Sequence, residues 1–535
     1  MFNKKETKNF DFKMLNNINI GSLEGENDNC LQEDTFIITM PIYKILADNK
    51  YNYIIGSFGS GKSALFKAIQ EKYITNKYKE LNEKFFADKN IICLNESFHL
   101  DSHLYKSEFS LQFIILNWSI YLLKILISDI LENHKDKKNF IEFKKNISLY
   151  EELKGDFKLH DFKDWLQSTS INPTITVSGT PISLNLNLKL PSQKKELNLN
   201  QIYKLINNFY EKNGLNCWIL IDRIDDFVRF DNYNKRSIYI QGLHEVIEEL
   251  RKFSCLRPML FLREDLFESI NFTTGNMKVK DRTIYLTWTP EEILNFIFRR
   301  VIKQKAFRIY YKDLNKIIAS NTEMSTYNKI KNIILDLSIK LKLRKKKKYN
   351  SFEHKVVKEL LYFILPPIVK LNTKEMEFED MLKQFLIDED FINPRIFITF
   401  MNKLNEEQYI FYSKNPPSIS NKKLGHIRKI KDYNTINVYT NICIKQALNY
   451  TKSSLLDHIQ GLFPDENINF KKCFFNLNNN FLSKNVLIEE EIFNLLKKES
   501  LNIQQIKFII HYLQVVKYFY KKGKKYTISN VYKKA

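Results

Sequence analysis

The residues best suited to chemistry form one run, Gly56-Ser57-Phe58-Gly59-Ser60-Gly61-Lys62-Ser63. It fits the spacing G-x-x-x-x-G-K-[ST]. Asn52 to Ile55 before it read as a short buried strand, and Ala64 to Ile69 after it read as a helix. In that setting the glycines let backbone N–H groups converge on phosphate oxygens. Lys62 would reach the β- and γ-phosphates, and Ser63 would ligate Mg²⁺. The positive end of the following helix, which begins at Ala64, adds to the anion site. The expected ligands are therefore ATP and Mg²⁺.

A second motif, Trp218-Ile219-Leu220-Ile221-Asp222, reads as a buried strand ending in an acid that would hold Mg²⁺ opposite Ser63. Arg223 occupies the next position, where many phosphate-loop ATPases carry Glu. Asp225 and Asp226 are then the candidate bases, or else helix caps. The strand Pro258 to Leu262 runs into Arg263-Glu264-Asp265. Arg263 there is a candidate for stabilising the charge of a transferring phosphoryl group, or else one half of a pair with Glu264 or Asp265.

These groups need a scaffold. Asn90 to Leu94 and Thr283 to Thr287 supply two further strands. With helices between them, five strands imply an α/β fold with a parallel sheet and the ligand at its carboxyl ends. Asn90–Leu94 falls between the two motifs in sequence, the layout of ATPases with an extra strand between the phosphate-loop strand and the acid strand.

The block Gly21-Ser22-Leu23-Glu24-Gly25-Glu26-Asn27-Asp28, then Phe36-Ile37-Ile38-Thr39, leads into Ile55–Ala64. With Ile221–Asp226 and Phe261–Phe267, it resembles bacterial P-loop ATPases related to the STAND and origin-recognition branches of the AAA+ class. Genes for such ATPases often stand among phage-defence genes. The resemblance covers residues 18 to 300 well. It departs at Phe58, where a basic residue is usual, and at Arg223, where Gly is more usual. It implies a helical lid opening at Thr289-Pro290-Glu291-Glu292, on a helix that ends in Arg299-Arg300. It also implies that Arg395, in Asn393-Pro394-Arg395 at a helix start, contacts the nucleotide as the sensor-2 arginine of such lids.

The expected organisation is a lead-in segment (1–50), a P-loop core (51–300) with an insertion at about 96–216, a helical lid (301–420), and a helical linker with a winged helix (421–535). Within the insertion, Leu111–Leu131 and Phe140–Leu153 read as helices. Thr174–Val177 and Ile182–Leu188 alternate with period two around Ser178-Gly179-Thr180-Pro181, as a β-hairpin does. That hairpin reads as a cover for the core or as a probe for a DNA groove or a partner. At the C-terminus, helices are expected at Ile488–Lys498 and Ile503–Leu513, and strands at Val515–Tyr520 and Lys525–Ser529. Lys521-Lys522-Gly523-Lys524 would form a basic tip. Such a unit either clamps the nucleotide core or contacts DNA.

The net charge of +22 points to double-stranded DNA as a partner, or to the coding bias of an AT-rich genome that also raises Asn, Ile, Tyr and Phe. The sharpest basic block is Arg344-Lys345-Lys346-Lys347-Lys348. Only thirteen basic residues are Arg, and none precedes Arg223, so each Arg invites a specific role. None of the six cysteines forms a CxxC pair, which argues against a zinc ribbon or a disulfide framework. Met1–Leu15 has no apolar signal-type stretch, and Leu111–Leu131 carries Asn117, Lys124 and Asp129, too polar for a comfortable membrane span. A cytoplasmic chain without a membrane partner is expected. No nuclease, protease, deaminase or NAD-cleaving motif is visible. The sequence reads as a Mg-ATPase switch working on a protein partner or a homo-oligomer. A nucleotide-dependent DNA-binding module with little turnover and a scaffold with a structural nucleotide are the other two readings.

Overall fold

Alternating side chains on strands buried from both sides build the central layer. The computed structural model describes residues 12–22, 28, 36–71, 85–94, 111–147, 187–189, 196–224, 233–268, 270, 276–304, 307, 361, 365, 368–371, 374–385, 392–415, 438–461, 463 and 468–533. The first seven strands are β1 (Tyr53–Gly56), β2 (Lys89–Leu94), β3 (Asn187–Lys189), β4 (Glu196–Asn198), β5 (Asn216–Ile221), β6 (Leu256–Arg263) and β7 (Thr283–Tyr285). Five of them form one sheet in the order β2-β5-β6-β1-β7, with every pairing parallel. The strand standing between β1 and β5 is thus β6, which comes later in the chain than both. β2 takes the edge beside β5.

The period of two divides the sheet residues between two cores. Tyr53, Ile55, Ile219, Ile221, Leu260 and Leu262 face helices Leu111–Asn133, Leu199–Lys212 and Tyr233–Leu250. Ile54, Trp218, Leu220, Met259 and Phe261 face helices Met40–Ala47 and Lys62–Gln70. The sheet is therefore covered on both sides, which explains strands that read as continuous apolar runs. Arg257 on β6 ties down the first of those helices, donating to Ile45 O (2.9 Å) and Asp48 O (2.8 Å) over the Trp218 ring.

Helix Leu111–Asn133 contains a stretch, Ile114–Asn133, long and apolar enough to cross a membrane by length and composition. Here it packs inside the protein, with Trp118, Leu122, Leu123 and Ile130 buried. The hairpin expected over 174–188 lies outside the described residues except for 187–188 in β3, which pairs antiparallel with β4.

A third core joins the beginning of the chain to its second half. Leu15, Ile18 and Ile20 pack with helices Pro290–Lys303, Pro394–Lys414 and Asn441–Gly461 and with the C-terminal residues. Thr289 caps Pro290–Lys303 through a capping box with Glu292, as the Thr-Pro-Glu-Glu run predicts, and the helix continues past Arg299-Arg300 to Lys303. Arg300 reaches back to Ile20 O (2.8 Å) and pairs with Asp28 (2.7 Å), both side chains being almost fully buried. Gly21, at φ +150, lies under that guanidinium. A Cβ there would meet Arg300 Nη1 at 1.9 Å.

β8 (Ile368–Leu371) and β9 (Lys374–Glu377) form an antiparallel pair. After helices Asn441–Gly461 and Phe470–Lys484 come β10 (Val486–Ile488), helices Glu489–Lys497 and Ile503–Val515, β11 (Phe519–Lys522) and β12 (Lys525–Ile528). The last three strands form an antiparallel sheet in the order β10-β12-β11. The second of the two helices runs through Val515, and β11 starts four residues later than the strand expected there. Lys517 takes a left-handed φ of 58° between them, a turn that an apolar pattern does not announce. The basic block 344–348 lies outside the described residues.

Candidate functional site

Parallel register brings the predicted residues to one edge of the sheet. Gly56 stands beside Arg263 in the β1–β6 ladder, and Ile221 stands beside Leu260 in β5–β6. Gly56, Asp222 and Arg263 therefore all leave the sheet at its carboxyl edge, where open α/β sheets place their ligands.

The loop after β1 has the geometry of an anion cradle. Gly59 and Gly61 adopt φ +81° and +97°, conformations that a side chain would strain. A Cβ on Gly56 would meet Ser60 Oγ at 2.2 Å, and one on Gly59 would meet Arg395 Cβ at 2.6 Å. Helix Lys62–Gln70 starts directly at the lysine, so Ser63 and Ala64 lie in its first turn, where backbone N–H groups have no partner within the helix itself. Lys62 Nζ folds onto its own loop, donating to Gly56 O (2.9 Å) and Ser57 O (3.0 Å). Trp288 braces the loop from below through Nε1 to Ser60 O (2.8 Å).

Asp222 is the first residue beyond β5 and is buried, its N–H donating to Leu94 O (3.0 Å). Arg223 has φ 61°. That left-handed conformation costs a residue with a side chain on the order of 1 kcal/mol, a cost that Gly would avoid. A buried carboxylate at the strand end and a hydroxyl in the first helical turn suit Mg²⁺, which binds through one or two protein oxygens together with phosphate and water. No cluster of three or more metal-ligating His, Cys, Asp or Glu side chains occurs among the described residues. Asp225 and Asp226 lie outside the described residues.

Arg263 is buried at the end of β6 and pairs with Asp265, Nε donating to Oδ1 (2.9 Å) and Nη2 meeting Oδ2. The pair with Asp265 is thus formed, with its arginine buried where a surface pair was expected. It nonetheless lines a cavity of about 470 Å³ together with Ser57, Phe58, Arg395, Thr399 and His458. Arg395 enters from helix Pro394–Lys414. Asn393 caps that helix by accepting from Arg395 N (2.9 Å), and its amide donates to Phe58 O. The Arg395 guanidinium carbon lies 3.9 Å from the centre of the Phe58 ring.

Sequence reasoning missed His458, near the end of helix Asn441–Gly461. Its ring packs against the loop tip, 3.9 Å from Phe58 between centroids and tilted by 36°. Its Nε2 is buried without a hydrogen-bond partner. Burial, then the charges of Arg395 and Arg263, push its pKa down to about 4, so the ring is neutral at pH 7. The only sequence signal was a histidine at the end of a long helix, which no spacing ties to the loop. Val516 and Tyr532 from the C-terminal unit close the cavity. That unit also touches the sheet edge through Lys517–Glu264 (3.0 Å) and His511–Glu268 (3.9 Å).

Comparison with known proteins gives sparse likenesses. No family model matches the chain. A transposon gamma-delta 80.3 kDa protein of Escherichia coli (strain K12) is 23% identical over 300 residues, a match covering 52% of this chain and 39% of that protein. This chain thus spans well under two thirds of that relative's length. Among solved structures, a Walker-type ATPase of Pyrococcus abyssi aligns over 94% of this chain and 93% of its own, at 10% identity and a TM-score of 0.35.

Proposed function

We propose that the chain is a Mg²⁺-dependent ATP-binding and ATP-hydrolysing switch of the AAA+/STAND type. The observation that carries this is the meeting, at one sheet edge, of a glycine cradle (Gly56–Ser63), a buried acid (Asp222) and two arginines from different elements (Arg263 and Arg395). In this reading Ser63 and Asp222 would hold Mg²⁺, which would supply neutralisation of phosphate charge. Lys62 exchanges its loop carbonyls for phosphate oxygens. Asp225 or Asp226 accepts a proton from the attacking water, and Arg263 and Arg395 stabilise the charge on the transferring group.

Helix Pro394–Lys414 then acts as part of a lid, and the C-terminal helix–sheet unit as a winged helix. Its contacts with Glu264, Glu268 and the cavity favour a clamp on the nucleotide core. A protein partner or a second copy of the chain would receive the change of state, in an anti-phage defence complex or one associated with DNA.

A second reading, a nucleotide-dependent DNA-binding module with little turnover, draws on the exposed tip 521–525. One of its lysines, Lys521, is engaged with Glu489 (2.8 Å).

The deciding experiment measures ATP binding by calorimetry and phosphate release with and without duplex DNA, for wild type and Lys62→Ala. The switch reading expects Mg²⁺-dependent release that Lys62→Ala abolishes. Tight ATP binding retained by Lys62→Ala would remove the loop assignment. A DNA role adds a salt dependence of about 0.9 in log K per log[salt] for each phosphate contact, reduced when Lys521, Lys522 and Lys524 are removed.

A further inference from the structure

We infer that Phe58 is a positioning residue that latches the phosphate loop to the second half of the chain, so that nucleotide exchanges only when this ring leaves its contacts with Arg395 and His458. The inference rests on the nucleotide reading above and concerns a residue to which phosphate-loop chemistry gives no task.

Four contacts meet at the tip of the loop. The Phe58 ring has the Arg395 guanidinium 3.9 Å from its centre and the His458 ring at 3.9 Å. Its carbonyl accepts from the Asn393 amide. The next residue, Gly59, has no room for a side chain because Arg395 Cβ and Asn393 Oδ1 already occupy that space. The loop is therefore held by two separate helices, Pro394–Lys414 and Asn441–Gly461, through one aromatic side chain. A cation over an aromatic face is attracted by the ring quadrupole, more strongly where water is excluded. The His458 side chain, neutral at pH 7, adds a ring contact without repelling Arg395.

The latch has a direction. With Arg395 on the ring and Lys62 on the Gly56 and Ser57 carbonyls, the protein itself engages both cations. A nucleotide passing the loop must displace its tip, and in transit Phe58 leaves both Arg395 and His458, which frees the loop from helix Asn441–Gly461. With a diphosphate seated, no γ-phosphate claims Arg395, and the ring regains both contacts. The ring thus raises the barrier to entry and to exit alike.

Stopped-flow measurement of a ribose-labelled fluorescent ADP on the full chain tests this. Phe58→Ala should accelerate both association and release by about tenfold, with the equilibrium constant changing less than either rate. Phe58→Tyr should retain wild-type rates. From the other side of the contact, His458→Ala should accelerate both rates by a few-fold, and His458→Phe, which keeps a ring there, should not. Unchanged rates in Phe58→Ala and His458→Ala, with nucleotide bound normally, would overturn the latch and leave the nucleotide site standing. Faster release with unchanged association would also overturn it, since that marks a weakened site and not a barrier. Absence of nucleotide binding by the wild-type chain would instead remove the reading of the loop itself.

Discussion

Arg263 and Asp265, two residues apart at the end of β6, face each other in a two-pronged pair on the wall of the cavity. An arginine held this way is pre-oriented, and it must exchange a carboxylate for a phosphate to act on one. Asp265→Asn should therefore raise apparent affinity for ATP several-fold, because the competing charge is gone. Arg263→Ala should lower turnover by on the order of a hundredfold or more while ADP affinity changes little. Steady-state phosphate release and ADP calorimetry on both variants check this. Normal turnover in Arg263→Ala would leave the pair a structural brace only.

Asp222→Ala should keep part of the nucleotide binding and lose turnover that depends on Mg²⁺, since the buried carboxylate at the strand end is the metal's expected protein ligand. Asp225→Asn and Asp226→Asn keep side-chain shape and remove a base. One of the two should fall by about a hundredfold in turnover. If the double variant works at the wild-type rate, the attacking water is oriented by other groups.

The Arg300–Asp28 pair, 2% and 3% exposed, joins the beginning of the chain to helix Pro290–Lys303. Removing one partner leaves a buried charge without its mate, which costs about 3–5 kcal/mol. Arg300→Met alone should lower the urea midpoint markedly, and Arg300→Met combined with Asp28→Leu should recover much of the loss. Equal destabilisation by the single and double changes would show that packing, and not charge, is at stake there.

Part of the acid sensitivity should arise beneath the phosphate-loop strand, in the same pH window as that of the depressed His458. Tyr53 Oη meets His244 Nδ1 (2.7 Å) and donates to Glu248 (3.0 Å), which in turn accepts from Arg282 (2.8 Å). Burial holds His244 near a pKa of about 4 against its ordinary 6.5, with Arg282 adding to the effect and Glu248 opposing it. Between those values the unfolded chain binds a proton that the folded chain refuses. Stability from this group is therefore complete above pH 6.5 and is lost as the pH falls towards 4. Melting temperature should decline across that window, and His244→Gln should flatten the decline. An unchanged slope would place the titration elsewhere.

The sheet was legible because its strands are buried on both sides and leave apolar runs, and the loop because left-handed glycines and a lysine at fixed spacing have few other uses. Helix starts at Thr289 and Asn393 were legible from their capping residues. The rarity of Arg was informative too: Arg257, Arg263, Arg300 and Arg395 each hold a specific contact. That an extra strand stands between the phosphate-loop strand and the acid strand was legible; that it is β6 and not β2 was not, because the choice depends on crossovers and leaves no local mark. His458 was hidden for a related reason, since a pairing across four hundred positions has no spacing to read. The late start of β11 turned on a single left-handed residue, Lys517, inside an apolar stretch.

The place of β6 also governs how this protein is born. The Asn52 side chain beside β1 bonds to Pro258 O, 206 positions away, and both neighbours of β1 in the sheet lie at least that far downstream. At about 5–20 residues per second, a ribosome takes ten seconds or more to deliver them. Throughout that interval Tyr53–Gly56 is an apolar segment without a partner strand, and the phosphate loop has no frame to hang from. Nascent chains should pass through a long-lived, aggregation-prone stage and should reach a nucleotide-competent form only after β7 has emerged, which makes the second half of the gene the pacemaker for maturation of a loop encoded near its start.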